Sequence, residues 1–245
     1  MTRLLKHFQF CLTDPMNLGN DFSFRKRFNK SVFISERNKY LFVKNEKAGN
    51  NSARMTLQSL ESGSELPDGF RSQRRHTGPL LQPSDLNLKH NQTLNDLGFF
   101  RFAIVRNPYT RLLSCYLNKI RTVDTKNALF MRRAWLDSNR AATFADFVHS
   151  ISRQRADEMD THWRIQHYNL FCDIVKFDNI IKIENYQEEF LDTAKSIYGA
   201  NDAVNVRKGE FGAQDRRSEF YSPELISIVN QVYEVDFKRF SYDME

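Results

Sequence analysis

The stretch from Tyr40 to Leu60 leaves this chain few folds to choose from. Tyr40-Leu41-Phe42-Val43 is a short apolar run of good β-formers, the pattern of a buried strand. Ala53 to Leu60 set Met55, Leu57 and Leu60 among good helix formers, the pattern of a helix. Between them stand Lys47, Ala48, Gly49, Asn50, Asn51 and Ser52. A strand, a turn of small residues and a helix start make an anion cradle, because the first N–H groups of a helix lack intrahelical partners and its dipole end is positive. Asn51 or Ser52 is the expected N-cap, and Lys47 adds a full charge at the lip. The spacing is not that of a nucleotide P-loop, G-x-x-x-x-G-K-[ST]: one Gly follows the Lys, and no Lys-Ser/Thr pair opens the helix. The plain alternative is an ordinary strand-to-helix turn with one exposed lysine.

A second segment of the same kind lies between Leu97 and Lys119. Phe102 to Val105 read as a buried strand. Pro108 suits the first turn of a helix, where its missing N–H costs nothing, and Asn107 is then the N-cap. The helix is expected to run to about Asn118, with Leu112, Leu113 and Tyr116 facing inward. Arg106 stands at the carboxyl end of its strand, where open α/β sheets bind ligands. A groove along this helix could use Arg106 and Ser114 for one phosphate, the Arg as a fork and the Ser as a short donor.

The remaining chain fits one α/β domain spanning 1–245, with residues 1–38 as an irregular arm or short helix laid on it. Residues 61–89 form a long loop rich in Ser, Gly, Pro and Arg, with Arg71, Arg74, Arg75 and His76 placed to line an anionic pocket or to form a basic lid. Thr125 to Ile151 read as helical, Ile174 to Ile183 as a strand, and Gln187 to Tyr198 as an amphipathic helix. Asn205 to Arg217 are polar and basic, including Arg207-Lys208-Gly209. Ser222-Pro223-Glu224 opens the last helix with a cap, a Pro and an acid. With 36 Lys and Arg against 30 Asp and Glu, the chain carries +6, which points to an anionic partner: nucleotide, nucleic acid, acidic glycan or membrane surface. Cys11, Cys115 and Cys172 are odd in number and widely spaced, the pattern of reduced, buried thiols. No apolar run approaches the length of a membrane span and no secretory leader is visible, so a soluble protein of a reducing compartment is expected.

Taken together, Lys47-Ala48-Gly49-Asn50-Asn51-Ser52 and Val105-Arg106-Asn107-Pro108-Tyr109-Thr110-Arg111-Leu112-Leu113-Ser114-Cys115-Tyr116 resemble the sulfotransferases. The likeness is to the branch of carbohydrate sulfotransferases of chondroitin, dermatan and HNK-1 type, with bacterial relatives. Asp160-Thr161-His162-Trp163-Arg164-Ile165-Gln166, then Cys172 and Phe177-Asp178-Asn179-Ile180-Ile181-Lys182-Ile183-Glu184, are similar to that family's D-x-H-W-x-P-Q … C … Y-D-x-I-G-K-x-E. Val232 to Tyr242 are similar to its closing Y-x-x-D-F-x-x-F-G-Y. Departures are Glu46 before the Lys, Asn50 and Asn51 where hydroxyls or thiols are common, and Ile165 in place of Pro. The resemblance implies a P-loop-like central parallel β-sheet flanked by helices. It implies transfer of a sulfuryl group from PAPS (3′-phosphoadenosine 5′-phosphosulfate) to a carbohydrate hydroxyl, with release of PAP and without a metal. The Lys47–Ser52 turn would bind the 5′-phosphosulfate, and Arg106 with Ser114 the 3′-phosphate. Arg207-Lys208-Gly209 is similar to a 3′-phosphate segment of the cytosolic small-molecule branch. A cytoplasmic and bacterial setting is the expectation.

Sulfuryl transfer is an in-line displacement that depends on positioning and charge stabilisation. Lys47 is the candidate for charge on the leaving oxygen. The N–H groups of Gly49 to Ser52 are candidates for the 5′-phosphate, with Asn51 or Ser52 side chains assisting. His76 is the first choice as base for the acceptor hydroxyl. His162 sits in a family-like segment and is read as an anchor for Trp163. Two other classes compete: a P-loop-type kinase or NTPase, which lacks its Walker pattern here, and a basic nucleic-acid-binding module, for which no recognised motif is present.

Overall fold

The computed structural model describes residues 2–14, 16, 18, 21–63, 78–86, 94–95, 97–122, 127–199 and 216–245. In chain order the elements are α1 (Arg3–Thr13), α2 (Phe22–Ser31), β1 (Val32–Ser35), β2 (Tyr40–Val43), α3 (Asn50–Ser62), β3 (Phe100–Val105), α4 (Pro108–Cys115), α5 (Ala128–Arg133), α6 (Phe144–Ile151), α7 (Gln166–Asn169), β4 (Asn179–Lys182), α8 (Tyr186–Tyr198), α9 (Pro223–Val232) and α10 (Glu234–Arg239). A π-helical turn, Tyr116–Ile120, extends α4. Two compact units emerge: Met1–Lys44, Gly49–Ile104 and Leu170–Gly209 in the first, Asn45–Ala48, Val105–Asn169 and Glu210–Glu245 in the second.

The first unit is an α/β layer built on a four-stranded sheet ordered β1-β2-β3-β4. β2 and β3 pair in parallel, with Phe42 opposite Phe102. All four residues of β2 are buried, which is why the strand reads as a continuous apolar run rather than an alternating one. Aromatic side chains fill the core beside it: Phe42 packs on Phe102 with ring centroids 5.2 Å apart, and Phe102 meets Phe190 of α8 edge-on at 6.4 Å. The Tyr198 hydroxyl lies 2.9 Å from the Tyr40 hydroxyl and 2.8 Å from Glu61 Oε1, giving the buried Tyr40 and the half-buried Tyr198 polar partners.

The amino-terminal arm is more regular than its mixed sequence implies. It forms α1, α2 and β1, and β1 pairs antiparallel with β2, Phe33 opposite Phe42. Val32-Phe33-Ile34-Ser35 is too short to announce itself by periodicity, and its hydrogen bonds come from a strand later in the chain. The sheet is therefore mostly parallel, with one antiparallel edge strand.

The second unit is helical, apart from the last residue of β3. Its core gathers Tyr109, Leu112, Leu113 and Tyr116 with Phe147, Trp163, Tyr233 and Phe237. The helix expected over Thr125 to Ile151 is two helices: α5 ends at Arg133, Trp135 takes φ +57°, and α6 begins at Phe144 behind a Thr143–Asp146 capping box. Leading with Ser222 and Pro223, α9 starts as its sequence indicates. All three cysteines are reduced and buried. Among the described residues no helix is long and apolar enough to cross a membrane.

Candidate functional site

The turn after β2 takes a conformation that few residues tolerate. Gly49 sits at φ +74° and caps α3 without any side-chain hydrogen bond. The expected cap, Asn51 or Ser52, is thereby displaced. A glycine in the left-handed region can end the turn with no Cβ penalty, so the helix starts at Asn50 and Asn51 and Ser52 fall inside its first turn. Asn50 is buried, Asn51 exposed and Ser52 half-buried. Lys47 is itself at φ +68°, a left-handed conformation that costs a non-glycine residue of order 1 kcal/mol or more.

The turn after β3 is built conventionally. Asn107 caps α4 through its side chain, accepting from Tyr109 N–H at 3.0 Å, and Pro108 occupies the first helical position. Arg106 is 5% exposed. Its Nε donates to Thr110 Oγ1 at 3.0 Å and its Nη1 to the Lys47 carbonyl at 3.4 Å, so the guanidinium is held and aimed. Ser114 lies further along the same helix, half-buried and next to the fully buried Cys115.

Two side chains knit the Asn45–Ala48 turn to the Arg106 segment. Gln166 accepts from Arg106 N–H at 2.9 Å and from Asn45 Nδ2 at 2.7 Å through one oxygen, and its Nε2 donates to the Arg106 carbonyl at 2.8 Å. Arg111, almost fully buried, donates to three carbonyls: Glu46 at 3.0 Å, Arg164 at 2.8 Å and Thr161 at 3.1 Å. Asp236 then accepts the backbone N–H groups of Gln166 and His167 at 2.7 and 2.8 Å. These residues stand in the sulfotransferase-like segments, yet residue type alone gives them no role; the carbonyls they serve come from distant parts of the chain. Thr110, which accepts from Arg106 Nε and donates to the Asn107 carbonyl, and Lys119, over the Phe130 ring, carry no sequence signal of their own either.

Charge is concentrated here. Burial lowers the Lys47 pKa; Cys115 acts against this, while the cations of Lys119 and Arg106 lower it further and Glu46 opposes them. Burial pushes the Cys115 thiol up to about 12 against the pull of Lys47 and Arg111, so it stays a neutral packing group. Lys119, in the π-helical turn, places its ammonium 4.7 Å from the Phe130 ring centroid. Lys47 thus shares a partly buried setting with the cations of Arg106 and Lys119, which an anion would relieve. A phosphate-bearing ligand fits these residues. Among the described residues no cluster of His, Cys, Asp and Glu could hold a metal ion.

His162 belongs to the scaffold around Trp163. Its Nδ1 lies 2.6 Å from Asp160 Oδ1, and Arg133 Nη1 meets the other carboxylate oxygen at 2.5 Å. Burial acts to raise the Asp160 pKa, but the hydrogen bonds from His162 and Arg133 prevail and hold it at about 2. Trp163 is fully buried, donates to Gln154 Oε1 at 2.9 Å and offers its carbonyl to the Tyr233 hydroxyl at 2.6 Å. His76, Arg71, Arg74, Arg75, Arg207 and Lys208 lie outside the described residues.

The model of the sulfotransferase family matches residues 30–243. The chain belongs to that family, and its chemistry is sulfuryl transfer. No curated protein and no solved structure matches it significantly.

Proposed function

We propose that this protein transfers the sulfuryl group of PAPS to a hydroxyl of a carbohydrate or glycosylated acceptor, and that the whole chain works as one sulfotransferase domain. The observation that carries the reading is the left-handed Lys47 turn, whose carbonyl the Arg106 guanidinium holds at 3.4 Å. PAPS supplies an activated sulfuryl group on a phosphate leaving group. Lys47 meets the charge that builds on the bridging oxygen as the S–O bond to the 5′-phosphate breaks. The N–H groups of Gly49, Asn50, Asn51 and Ser52, with the Asn51 or Ser52 side chain, hold the 5′-phosphate at the helix start, beside Ala48. Arg106 and Ser114 hold the 3′-phosphate, with Arg207 and Lys208 as further basic partners. The acceptor oxygen forms the new bond to sulfur, and its proton passes to a base, for which His76 is proposed. None of these steps calls for a metal ion. The sugar acceptor rests on the sequence likeness to carbohydrate sulfotransferases.

Calorimetry with PAP and AMP tests the donor half. PAP is expected to bind more tightly, because AMP lacks the 3′-phosphate, and equal affinities would overturn the assignment of Arg106 and Ser114. Incubation with labelled PAPS and a glycan panel, read by mass spectrometry, tests the acceptor half; transfer only to non-sugar hydroxyls would overturn it. His76→Ala is expected to keep PAP binding and lower single-turnover transfer by about two to four decades. Normal turnover in that variant would remove His76 from the mechanism.

A further inference from the structure

The amino-terminal helix carries an apolar face that the fold leaves uncovered. At about 100° per residue, Leu4, Phe8, Leu12 and Leu5 share one arc of α1. They are 68, 55, 58 and 57% exposed. The neighbouring arc holds Phe10 and Cys11, both buried, so α1 is docked by one side and shows a second apolar side outward. Phe8 meets Phe22, at the start of α2, edge-on at 6.2 Å, which widens the apolar surface across both helices. Half of the exposed large apolar side chains among the described residues lie in these first 22 positions. A cluster of this kind marks a contact surface.

What it contacts is indicated by charge. Lys26 and Lys30 of α2 line the groove beside Leu4, Leu5 and Phe8. Residues 1–31 hold six basic residues (Arg3, Lys6, Arg25, Lys26, Arg27, Lys30) against two acids, Asp14 and Asp21, and so carry +4 of the chain's +6. Both acids are engaged locally: Asp14 accepts from Leu18 N–H and pairs with Arg25 at 3.9 Å, and Asp21 caps α2 through Phe24 N–H. A second copy of the same surface would bring two such positive patches together, which disfavours self-association. Apolar side chains over a basic rim suit the interface of an anionic bilayer, where Leu and Phe enter the headgroup boundary and lysines meet lipid phosphates.

We propose that the exposed face of α1, with Lys26 and Lys30 of α2, docks the protein on the surface of an anionic lipid bilayer. This is attachment at the interface, not a span.

The test is co-sedimentation of the full chain with vesicles of phosphatidylcholine alone and of equimolar phosphatidylcholine and phosphatidylserine. Binding is expected to the anionic vesicles, to weaken with salt, and to be much poorer on the neutral ones. Leu5→Ser with Phe8→Ser is expected to weaken it at least about tenfold. Lys26→Gln with Lys30→Gln is expected to weaken it about twenty-fivefold, about fivefold per lysine, with the apolar face intact. Circular dichroism confirms folding, and PAP affinity is expected to stay at wild-type level in both variants. Equal binding to the two vesicle types, or undiminished binding by both variants, would overturn the proposal. So would a concentration-dependent dimer that the Leu5→Ser, Phe8→Ser variant abolishes, which assigns the face to a second copy.

Discussion

After β2 the chain enters its helix through Gly49 in the left-handed region, preceded by a left-handed Lys47; after β3 it enters through Asn107, whose side chain caps the helix, and Pro108. The first turn leaves the open end of α3 without a side-chain cap. The second closes its helix start with an internal cap. A side-chain cap satisfies the first N–H groups of a helix, and a glycine at the cap leaves them to other partners. The difference suggests a division of labour. On the proposed function the Lys47 turn meets the reacting group, and the Arg106 turn mounts one guanidinium, held by Thr110 and the Lys47 carbonyl. Arg111 and Gln166 brace the Asn45–Ala48 segment and the start of α4 so that each keeps its shape.

Substitutions can break that contrast, beginning with the brace. Arg111→Ala removes the side-chain donor from the Glu46 and Arg164 carbonyls, leaves the Thr161 carbonyl to Asn169 Nδ2, and opens a cavity, so a loss of about 3–5 kcal/mol in stability is expected by urea unfolding. A loss under about 1 kcal/mol would mean that water or a neighbour replaces it and that the turns do not depend on it.

Lys47→Ala is expected to lower single-turnover transfer by about two to three decades while PAP affinity changes less, because the charge it meets develops in the transition state. Lys47→Gly removes the same charge but accepts φ +68° freely, so stability is expected to stay within about 1 kcal/mol of wild type while turnover falls as in Lys47→Ala. Full activity in the glycine variant would show that the turn conformation, not the ammonium, does the chemistry.

The same lysine gives a pH signature. Its folded pKa lies below the usual 10.5, so in the alkaline window between the two values the unfolded chain binds more of this proton than the folded one. The penalty for burying the charge is fully present below the folded pKa and is relieved as pH rises through it. This contribution to the stability of the ligand-free protein therefore increases with pH in that window. PAP favours the charged form, so its affinity is expected to fall there, with proton uptake on binding measurable by calorimetry in buffers of different ionisation heat. In Lys47→Ala both trends should vanish; their persistence would assign them to another group.

On the other turn, Arg106→Ala is expected to weaken PAP binding by about 1.5–3 kcal/mol, or one to two decades, with a milder effect on the chemical step at saturating donor. Unchanged affinity would reduce Arg106 to a brace for Thr110 and the Lys47 carbonyl. The smallest effects compare the two caps directly. Asn107→Ala and Gly49→Ala are each expected to cost about 1 kcal/mol in stability, the first by losing a cap and the second by strain. They should differ in function: Gly49→Ala also lowers PAP affinity, and Asn107→Ala does not.

Much of this molecule is local and therefore readable along the chain. Tyr40–Val43 and Phe102–Val105 show as strands because fully buried parallel strands are apolar throughout. Asn107-Pro108 and Ser222-Pro223 announce their helices because cap and first turn are chemistry of adjacent residues. Lys47, Arg106 and the family-like segments mark a chain for an anionic ligand without any knowledge of packing. Other features required the fold. Val32–Ser35 becomes a strand because β2 offers it an edge, and Gly49 rather than Asn51 or Ser52 caps α3 because the backbone is left-handed there. Arg111, Gln166 and Asp236 look like solvated polar residues in sequence and are internal braces in space, since the carbonyls and N–H groups they satisfy are set by tertiary contacts. The lowered pKa of Lys47 belongs to that second class as well: a sequence states that a lysine is present, but only packing decides how much water it keeps and which cations share its surroundings.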